Sequence, residues 1–513
     1  MRKYPVGIQD FSEVRNNGYL YVDKTLFIDK LFQHGKYYFL SRPRRFGKSL
    51  FLSTLEYLFQ SKQELFEGLY IYDRWDWSKT SPVIKISFSN IGHKLMGLEK
   101  AIDDKLEAIA LKYQYSFSSK TIDQKFKELI EALSAKHGHV AILIDEYDKP
   151  IIDYLGIDTA KAIENREMLK AFYSILKDAD PHIKLVFITG VSKFSRVSIF
   201  SDLNNLKDLT IDSNFKSICG ISQDELEHDF SEEMQLSNRE KIKKWYNGYS
   251  WDGKSTVYNP FSLLNFFAGD GQYRNYWFET GTPTFLINLS KNQELYDFEG
   301  TQVSANEMGA YDLEQLQVLP LMFQTGYLTI KNYKEEDNLY ELGYPNEEVR
   351  QSYLEMLMKA YSYNQYRMVL ATELRNALKV ADLKKVESII NTVFKSIPYE
   401  IWQKENEHFY HAIIHLTFRL LGIYIESQVQ TSDGRMDALV QTQDYVYAFE
   451  FKLDGSATEA LQQVKNKGYL IPYLHQNNAE RRLTERRPIC IGVGVNFSTE
   501  TKKIQEILWE EIV

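Results

Sequence analysis

Cysteine is almost absent: the 513 residues hold two, Cys219 and Cys490, far apart and without metal-ligand spacing. That scarcity excludes a disulfide framework and a cysteine-built zinc site, and it fits a reducing compartment. Long apolar runs are missing as well. None approaches the ~20 residues of a membrane span. The segment from Met1 to Asp10 carries charge with no apolar core behind it, so no signal peptide is expected. No membrane contact and a cytoplasmic location are the resulting expectations. An excess of positive charge is also lacking. The net charge of -9 rules out a surface that attracts nucleic acid as a whole, so any such contact needs a local basic patch. Internal repeats and low-complexity tracts are absent. What is present is ordinary globular material, 44% hydrophobic and 26% charged, long enough for about two to four domains.

Strand and helix patterns alternate to about residue 210, the signature of a parallel α/β sheet. Tyr37–Leu40, Val83–Phe88, Val140–Ile144 and Lys184–Ile188 read as strands, and Leu50, Leu55, Leu58 and Phe59 share one helix face. From about 220 to 300 the chain reads as helical and aromatic, with Tyr246-Asn247-Gly248-Tyr249 and Tyr258-Asn259-Pro260-Phe261. A helix through Leu316 and Leu321 then leads to Gly326, a strand at Tyr327–Ile330, a polar turn from Lys334 to Asn338 and a strand at Leu339–Leu342. Helix plus hairpin is the outline of a winged helix. Pro398 marks a boundary. Beyond it the order is helix (Phe409–Leu421), three strands, helix (Thr458–Leu470) and strand (Ile489–Val495). The expected domains are 1–215, 216–397 and 398–513.

One segment has the context of a phosphate-binding loop. Arg42-Pro43-Arg44-Arg45-Phe46-Gly47-Lys48-Ser49-Leu50 follows an apolar strand and opens a helix. Free backbone N–H groups at a helix start point at an anion. Lys48 would reach the outer phosphates of ATP, Ser49 would bind Mg²⁺, and Gly47 allows close backbone approach. Arg42 stands where the general pattern has its first glycine. The acidic partner is Val140-Ala141-Ile142-Leu143-Ile144-Asp145-Glu146-Tyr147-Asp148, a buried strand with carboxylates at its C-terminal end. Asp145 would hold the hydration shell of Mg²⁺, and Glu146 would orient the attacking water. Thr189 and Ser192, after the next strand, are both candidates to contact the γ-phosphate or the water; a cap or turn hydroxyl is the alternative.

These segments resemble a predicted AAA-ATPase-like family that joins such an ATPase to a C-terminal domain of the PD-(D/E)XK nuclease superfamily. The resemblance rests on Tyr21-Val22-Asp23-Lys24-Thr25, the arginine-rich loop, Asp145-Glu146-Tyr147-Asp148 and Thr189-Gly190-Val191-Ser192-Lys193-Phe194-Ser195. Asn204-Asn205-Leu206, Tyr246–Tyr249 and Tyr276–Pro283 continue it. It implies that an arginine at position 42 is compatible with nucleotide binding. It also implies that the segment near Asp23 lies by the base or the loop.

The second candidate site lies past residue 420. Alternation puts Glu450 and Lys452 on one strand face and Phe449 and Phe451 on the other. A buried carboxylate and lysine need each other, a metal, or both. Asp437 and Glu450 would hold Mg²⁺ with the Phe451 carbonyl, Lys452 would act on the bound water, Glu426 would add a carboxylate and Gln463 would support the site. Asp437, Glu450 and Lys452 are similar to the PD-(D/E)XK signature, and Glu426 and Gln463 to its auxiliary positions. Arg481, Arg482, Arg486 and Arg487 form a basic cluster that would meet phosphates or solvent. The hairpin tip, Glu335, Glu336 and Asp337, would repel a nucleic-acid backbone.

The expected fold class is therefore α/β: a P-loop NTPase parallel sheet, a helical and winged-helix-like middle, and a restriction-endonuclease-like C-terminal domain. ATP and Mg²⁺ are the expected cofactors. DNA or RNA is the expected partner of the second site, and a protein partner is the alternative for a silent nuclease fold.

Overall fold

The computed structural model describes residues 2–513 except 193–199, 201–202, 204, 236, 270, 279–283, 294, 297, 305–306, 309–315, 363–367, 396, 398–406, 421–423, 428–429, 432–433, 436–437 and 475–487. The chain divides into two compact units, one formed by 1–286 with 298–350 and the other by 287–297 with 351–513.

The first unit is built on five strands: β1 (Tyr37–Ser41), β2 (Val83–Ser87), β3 (Val140–Asp145), β4 (Ile183–Gly190) and β5 (Lys207–Asp208). All pair in parallel, in the order β2-β3-β4-β1-β5. Parallel strands need crossovers that cover both faces, so their residues are apolar on both sides. Every residue of β1 and β3 is accordingly buried. The order sets β4 between β1 and β3, so the loops after these three strands open at one edge of the sheet. The helix Lys48–Phe59 buries Phe51, Leu52, Leu55, Leu58 and Phe59. Leu50, expected on that face, is only half-buried and lines a pocket.

The middle of the first unit carries β6 (Thr301–Ser304), β7 (Thr329–Lys334) and β8 (Leu339–Gly343), in the order β6-β8-β7. The helix Val318–Thr325 precedes the hairpin and ends at Gly326, whose φ of 91° is the left-handed cap that glycine adopts without strain. Helix and hairpin stand close to where the sequence put them, but Leu316 lies before the helix, the first strand runs from Thr329 to Lys334 rather than over Tyr327–Ile330, and β6 is an added third strand.

The second unit contains β9 (Tyr424–Ser427), a small β10 (Gln430–Thr431) and β11 (Gly434–Arg435) pair, β12 (Ala438–Gln441), β13 (Tyr445–Leu453), β14 (Ile489–Ser498) and β15 (Lys503–Glu511). The main sheet runs β15-β14-β13-β12-β9, with only β13 and β14 parallel. That parallel step contains the helix Ala457–Asn466, which is capped by Ser456 and packs on β14. The strand β15 was not foreseen. Its buried residues, Ile504 and Ile507, lie three apart, Trp509 is exposed, and the β14–β15 register shifts between Asn496 and Phe497, so no clean alternation shows. Helix Leu383–Lys395 packs with this sheet through Phe394 on Phe497, and Asn391 Oδ1 accepts the Ile504 N–H at 2.7 Å.

Gly494 makes the fit of helix to strand possible. A Cβ there would lie 2.2 Å from the Ala457 carbonyl oxygen and 2.5 Å from the Leu461 nitrogen. Both neighbours are backbone, so neither can swing aside. Gly494→Ala is expected to cost about 1–3 kcal/mol, read as a lower denaturant midpoint for the second unit; an unchanged midpoint would contradict this packing.

Candidate functional site

The first site grows from the ends of β1, β3 and β4. The loop 42–47 turns the chain from β1 into its helix through left-handed backbone at Arg45 (φ 67°) and Gly47 (φ 95°). Lys48 is the first helical residue and is buried. Its ammonium donates to the carbonyl oxygens of Arg42 at 2.8 Å and Pro43 at 2.9 Å. Burial lowers its pKa below the usual lysine range, while Glu146 and Asp145 pull it back up.

Asp145, at the end of β3, is the meeting point. Its Oδ2 accepts from Ser49 Oγ at 2.6 Å and its Oδ1 from Thr189 Oγ1 at 2.7 Å. A hydroxyl and a carboxylate in contact form a hard-oxygen pair, the donor type that Mg²⁺ takes. The next residue, Glu146, has a φ of 51°, uncommon for a non-glycine residue. Its carboxylate accepts from Ser89 Oγ at 2.6 Å. Ser192 is fully buried and donates its hydroxyl to Asp148 at 2.7 Å. The two candidate hydroxyls therefore both serve the acidic segment here.

Of the three loop arginines, only Arg44 and Arg45 are exposed. Arg42 is fully buried. Its guanidinium donates to the carbonyls of Ser41 and Thr210, both at 2.8 Å, and Phe215 at 3.3 Å, and stacks 3.9 Å over the Trp251 ring. Burial lowers its pKa to about 10, which still leaves it cationic at neutral pH. Arg42, expected from sequence among the phosphate-loop ligands, is instead turned inward: its side chain holds the loop from below, its N–H donates to the Gly190 carbonyl at 3.2 Å and its carbonyl accepts from Lys48.

A cleft of about 1250 Å³ opens over the loop. Arg44, Arg45, Gly47, Lys48 and Ser49 line one side; Ser89, Asn90, Glu146 and Lys149 line the other. Beside it lies an apolar pocket of about 570 Å³ that shares Gly47 and Leu50 and adds Tyr21, Val22, Phe46, Cys219 and Ile221. Asp23 itself faces elsewhere. It accepts from Thr25 and from the Tyr70 N–H at 2.7 Å, so it fixes the segment whose neighbours line the pocket.

The second site lies in the C-terminal sheet. The described β12–β13 ladder ends at the pair Ala438–Phe449, while β13 continues beside β14 as far as Leu453–Phe497. Glu450 and Lys452 therefore stand just past the end of β12. Glu450 is buried, and Lys452 is one-third exposed. Gln463 bridges them: its amide nitrogen donates to Glu450, and its oxygen accepts from Lys452 at 2.8 Å. Phe451 points its ring at Phe449 and Phe497. Glu426 is placed by register opposite Leu439 of β12. Asp437 and the arginines at 481, 482, 486 and 487 lie outside the described residues. Among the described residues no cluster of three or more His, Cys, Asp or Glu is present, so Glu450 is the one carboxylate whose side chain can be assigned to this site.

A five-stranded parallel sheet carrying a lysine-serine helix start beside an acidic strand end defines a P-loop-like α/β fold, and the same chain carries a mixed nuclease-like sheet. Residues 5–200 match the family model described as "Predicted AAA-ATPase", and 405–506 match "PD-(D/E)XK nuclease superfamily". The whole chain aligns at 38% identity with 99% of a protein of Azotobacter chroococcum mcd 1 described as "Uncharacterized protein in vnfD 5'region". No solved structure matches. The chain belongs to the predicted AAA-ATPase-like family with a C-terminal PD-(D/E)XK nuclease superfamily domain. No helix among the described residues is long and apolar enough to cross a membrane.

Two residues at the first site were missed from sequence. Ser89 lies two residues past the end of β2, so the rule that ligands gather at the C-terminal ends of parallel strands points to it. Asp148 carries no signal of its own beyond its place in the Asp-Glu-Tyr-Asp run. The two roles read for the loop arginines can be separated. Arg42→Ala would leave three buried carbonyls and a cavity, at an expected cost of about 3 kcal/mol or more. Arg44→Ala should change stability by no more than about 0.5 kcal/mol. Chemical denaturation of both variants checks this, and equal midpoints would contradict the structural role of Arg42.

Proposed function

We propose that this chain binds and hydrolyses ATP with Mg²⁺ in the cleft over residues 42–49, and that this activity is coupled to a Mg²⁺-dependent nuclease-like domain acting on DNA or RNA. The observation that carries the reading is that Lys48, Ser49 and Glu146 line one cleft while Asp145, bonded to Ser49 and Thr189, is buried directly behind Ser49. Backbone N–H groups of 44–49 and the Lys48 ammonium would cradle the phosphates, and the apolar pocket beside Gly47 has the lining a base requires. Ser49 and Asp145 would hold Mg²⁺, which supplies charge neutralisation on the phosphate oxygens when bound. Glu146 would accept a proton from, and orient, the attacking water. Ser89 holds its carboxylate until then. Thr189 keeps Asp145 aimed at Ser49.

The proposed functional divisions are an ATPase domain over 1–215, a helical and hairpin region over 216–397 and a nuclease-like domain over 398–513. In the last, Glu450, with Asp437 and Glu426, would hold the metal with the Phe451 carbonyl, and Lys452 would position the water. A second reading is an ATP-dependent switch that binds a protein partner through a silent nuclease fold. It is favoured by Gln463, which already bonds to both Glu450 and Lys452, and by the acidic turn at Glu335, Glu336 and Asp337.

Lys48→Ala should raise the Kd for ATP roughly 10²-fold, the scale of a lost buried charge pair; unchanged affinity would sink the nucleotide assignment. Glu146→Gln should bind ATP normally and hydrolyse it about 10²–10⁴-fold more slowly. At the second site, wild type should cleave DNA or RNA with Mg²⁺ or Mn²⁺. Glu450→Ala should lose cleavage and metal-induced stabilisation, and Lys452→Ala should lose cleavage alone, with ATP hydrolysis intact in both. Cleavage undiminished in Glu450→Ala would place that activity elsewhere. A wild type that cuts nothing under any metal or nucleotide condition would favour the switch.

A further inference from the structure

Beyond its last residues the β3–β4 ladder can no longer hold the two chains together, yet the groups that would act on ATP lie past that end. Glu146 is the sharpest case. Its left-handed backbone costs of order 1 kcal/mol for a non-glycine residue, so its aim must be imposed from both sides. On the N-terminal side, Asp145 is anchored by Ser49 and Thr189. On the C-terminal side, the Tyr147 N–H donates to the Thr189 carbonyl at 3.0 Å, and the Tyr147 hydroxyl donates to the Ser192 carbonyl at 3.0 Å.

Asp148 completes that side. It is 1% exposed, and one oxygen, Oδ2, accepts three bonds: the Val191 N–H at 2.9 Å, the Ser192 N–H at 2.6 Å and the Ser192 hydroxyl at 2.7 Å. Its other oxygen lies 3.0 Å from where a Cβ on Gly190 would stand, and the Tyr147 ring lies only 2.5 Å from that point. Glycine is therefore required for this approach. The turn after β4 is in turn tied to the phosphate loop. The Ser41 hydroxyl donates to the Val191 carbonyl at 2.5 Å, and the Arg42 N–H donates to the Gly190 carbonyl at 3.2 Å. Asp148 does not line the cleft, and its bonds go to the turn after β4.

We propose that Asp148 is a positioning residue for ATP hydrolysis: it clamps the turn after β4 to the segment after β3 and so holds Glu146 at its working angle. This rests on the ATPase reading above. A buried carboxylate saturated by three donors is a stiff bracket, because releasing any one of them leaves charge or N–H groups without water.

The test compares full-length wild type, Asp148→Ala, Asp148→Asn and Ser192→Ala in ATP affinity, steady-state hydrolysis and thermal unfolding. In Asp148→Ala, kcat is expected to fall about 10²-fold, the scale of a misplaced catalytic group, with the Kd for Mg-ATP within about threefold of wild type. Asp148→Asn keeps a carbonyl oxygen for the same three donors and should recover most of kcat. Ser192→Ala removes one donor and should show a smaller loss of kcat. Wild-type kcat in Asp148→Ala, or a parallel loss of affinity and kcat not rescued by asparagine, would overturn the inference while leaving the ATPase reading standing. If Asp148→Ala does not fold, wild-type kcat in Ser192→Ala overturns it equally. A wild type that neither binds nor hydrolyses ATP removes the ATPase reading, and this inference falls with it.

Discussion

Asp145 has two oxygens, and each is taken by a different element of the sheet's open edge. One holds the helix that follows β1; the other holds the end of β4. A carboxylate at the end of a buried strand would be costly if left alone. Here its need for donors draws three successive strand ends to one point. Lys48, Glu146 and Ser89 are arranged around that point, and the cleft opens above it. The strand order makes this possible, since inserting β4 between β1 and β3 brings Thr189 within reach of a carboxylate on the neighbouring strand.

The loop is also held from outside. Phe46 packs edge-on against Tyr249 and Trp251, the Trp277 indole N–H donates to the Arg44 carbonyl at 3.0 Å, and Arg45 stacks on Phe261. Gly326, where the helix before the hairpin ends, sits so close to Pro43 that a Cβ would lie 2.6 Å from its ring. The aromatic motifs of the middle region thus converge on six residues of backbone. Glu348, fully buried, anchors this arrangement by accepting the Trp277 N–H at 2.7 Å and the Ser262 hydroxyl at 2.7 Å.

Much of this was legible in the amino-acid order, and the limits have physical causes. The four long parallel strands were readable because both faces are apolar. The loop that opens the helix at Lys48 and the acidic end of β3 were readable as structure because helix starts and strand ends carry fixed chemistry. Arg42 was grouped with the phosphate-binding loop because it stands at that loop's first-glycine position; its actual partners, the carbonyls of Thr210 and Phe215, come from far along the chain and leave no local signal. Thr189 and Ser192 could not be ranked from sequence because both end up serving carboxylates across a strand boundary. At the second site, Glu450, Lys452 and Gln463 were named from alternation and element order, and the described residues bring all three into contact. The edge strand β15 was missed because its buried residues, Ile504 and Ile507, are three apart and do not follow the period of two.

The position of Lys48 has a thermodynamic consequence. Its ammonium is already buried and already satisfied by two carbonyl oxygens of its own loop. An incoming phosphate would therefore enter an exchange rather than an addition: it would gain only the difference between an anion and two neutral dipoles as partners for the same cation. The carbonyls of Arg42 and Pro43, once released, would need new donors in a place that water hardly reaches. A polyphosphate can offset that loss by occupying the backbone N–H groups at the helix start at the same moment, whereas a lone small anion cannot. A phosphate bound here would thus compete with the loop's own carbonyls, and ligands long enough to replace every bond they break would be favoured.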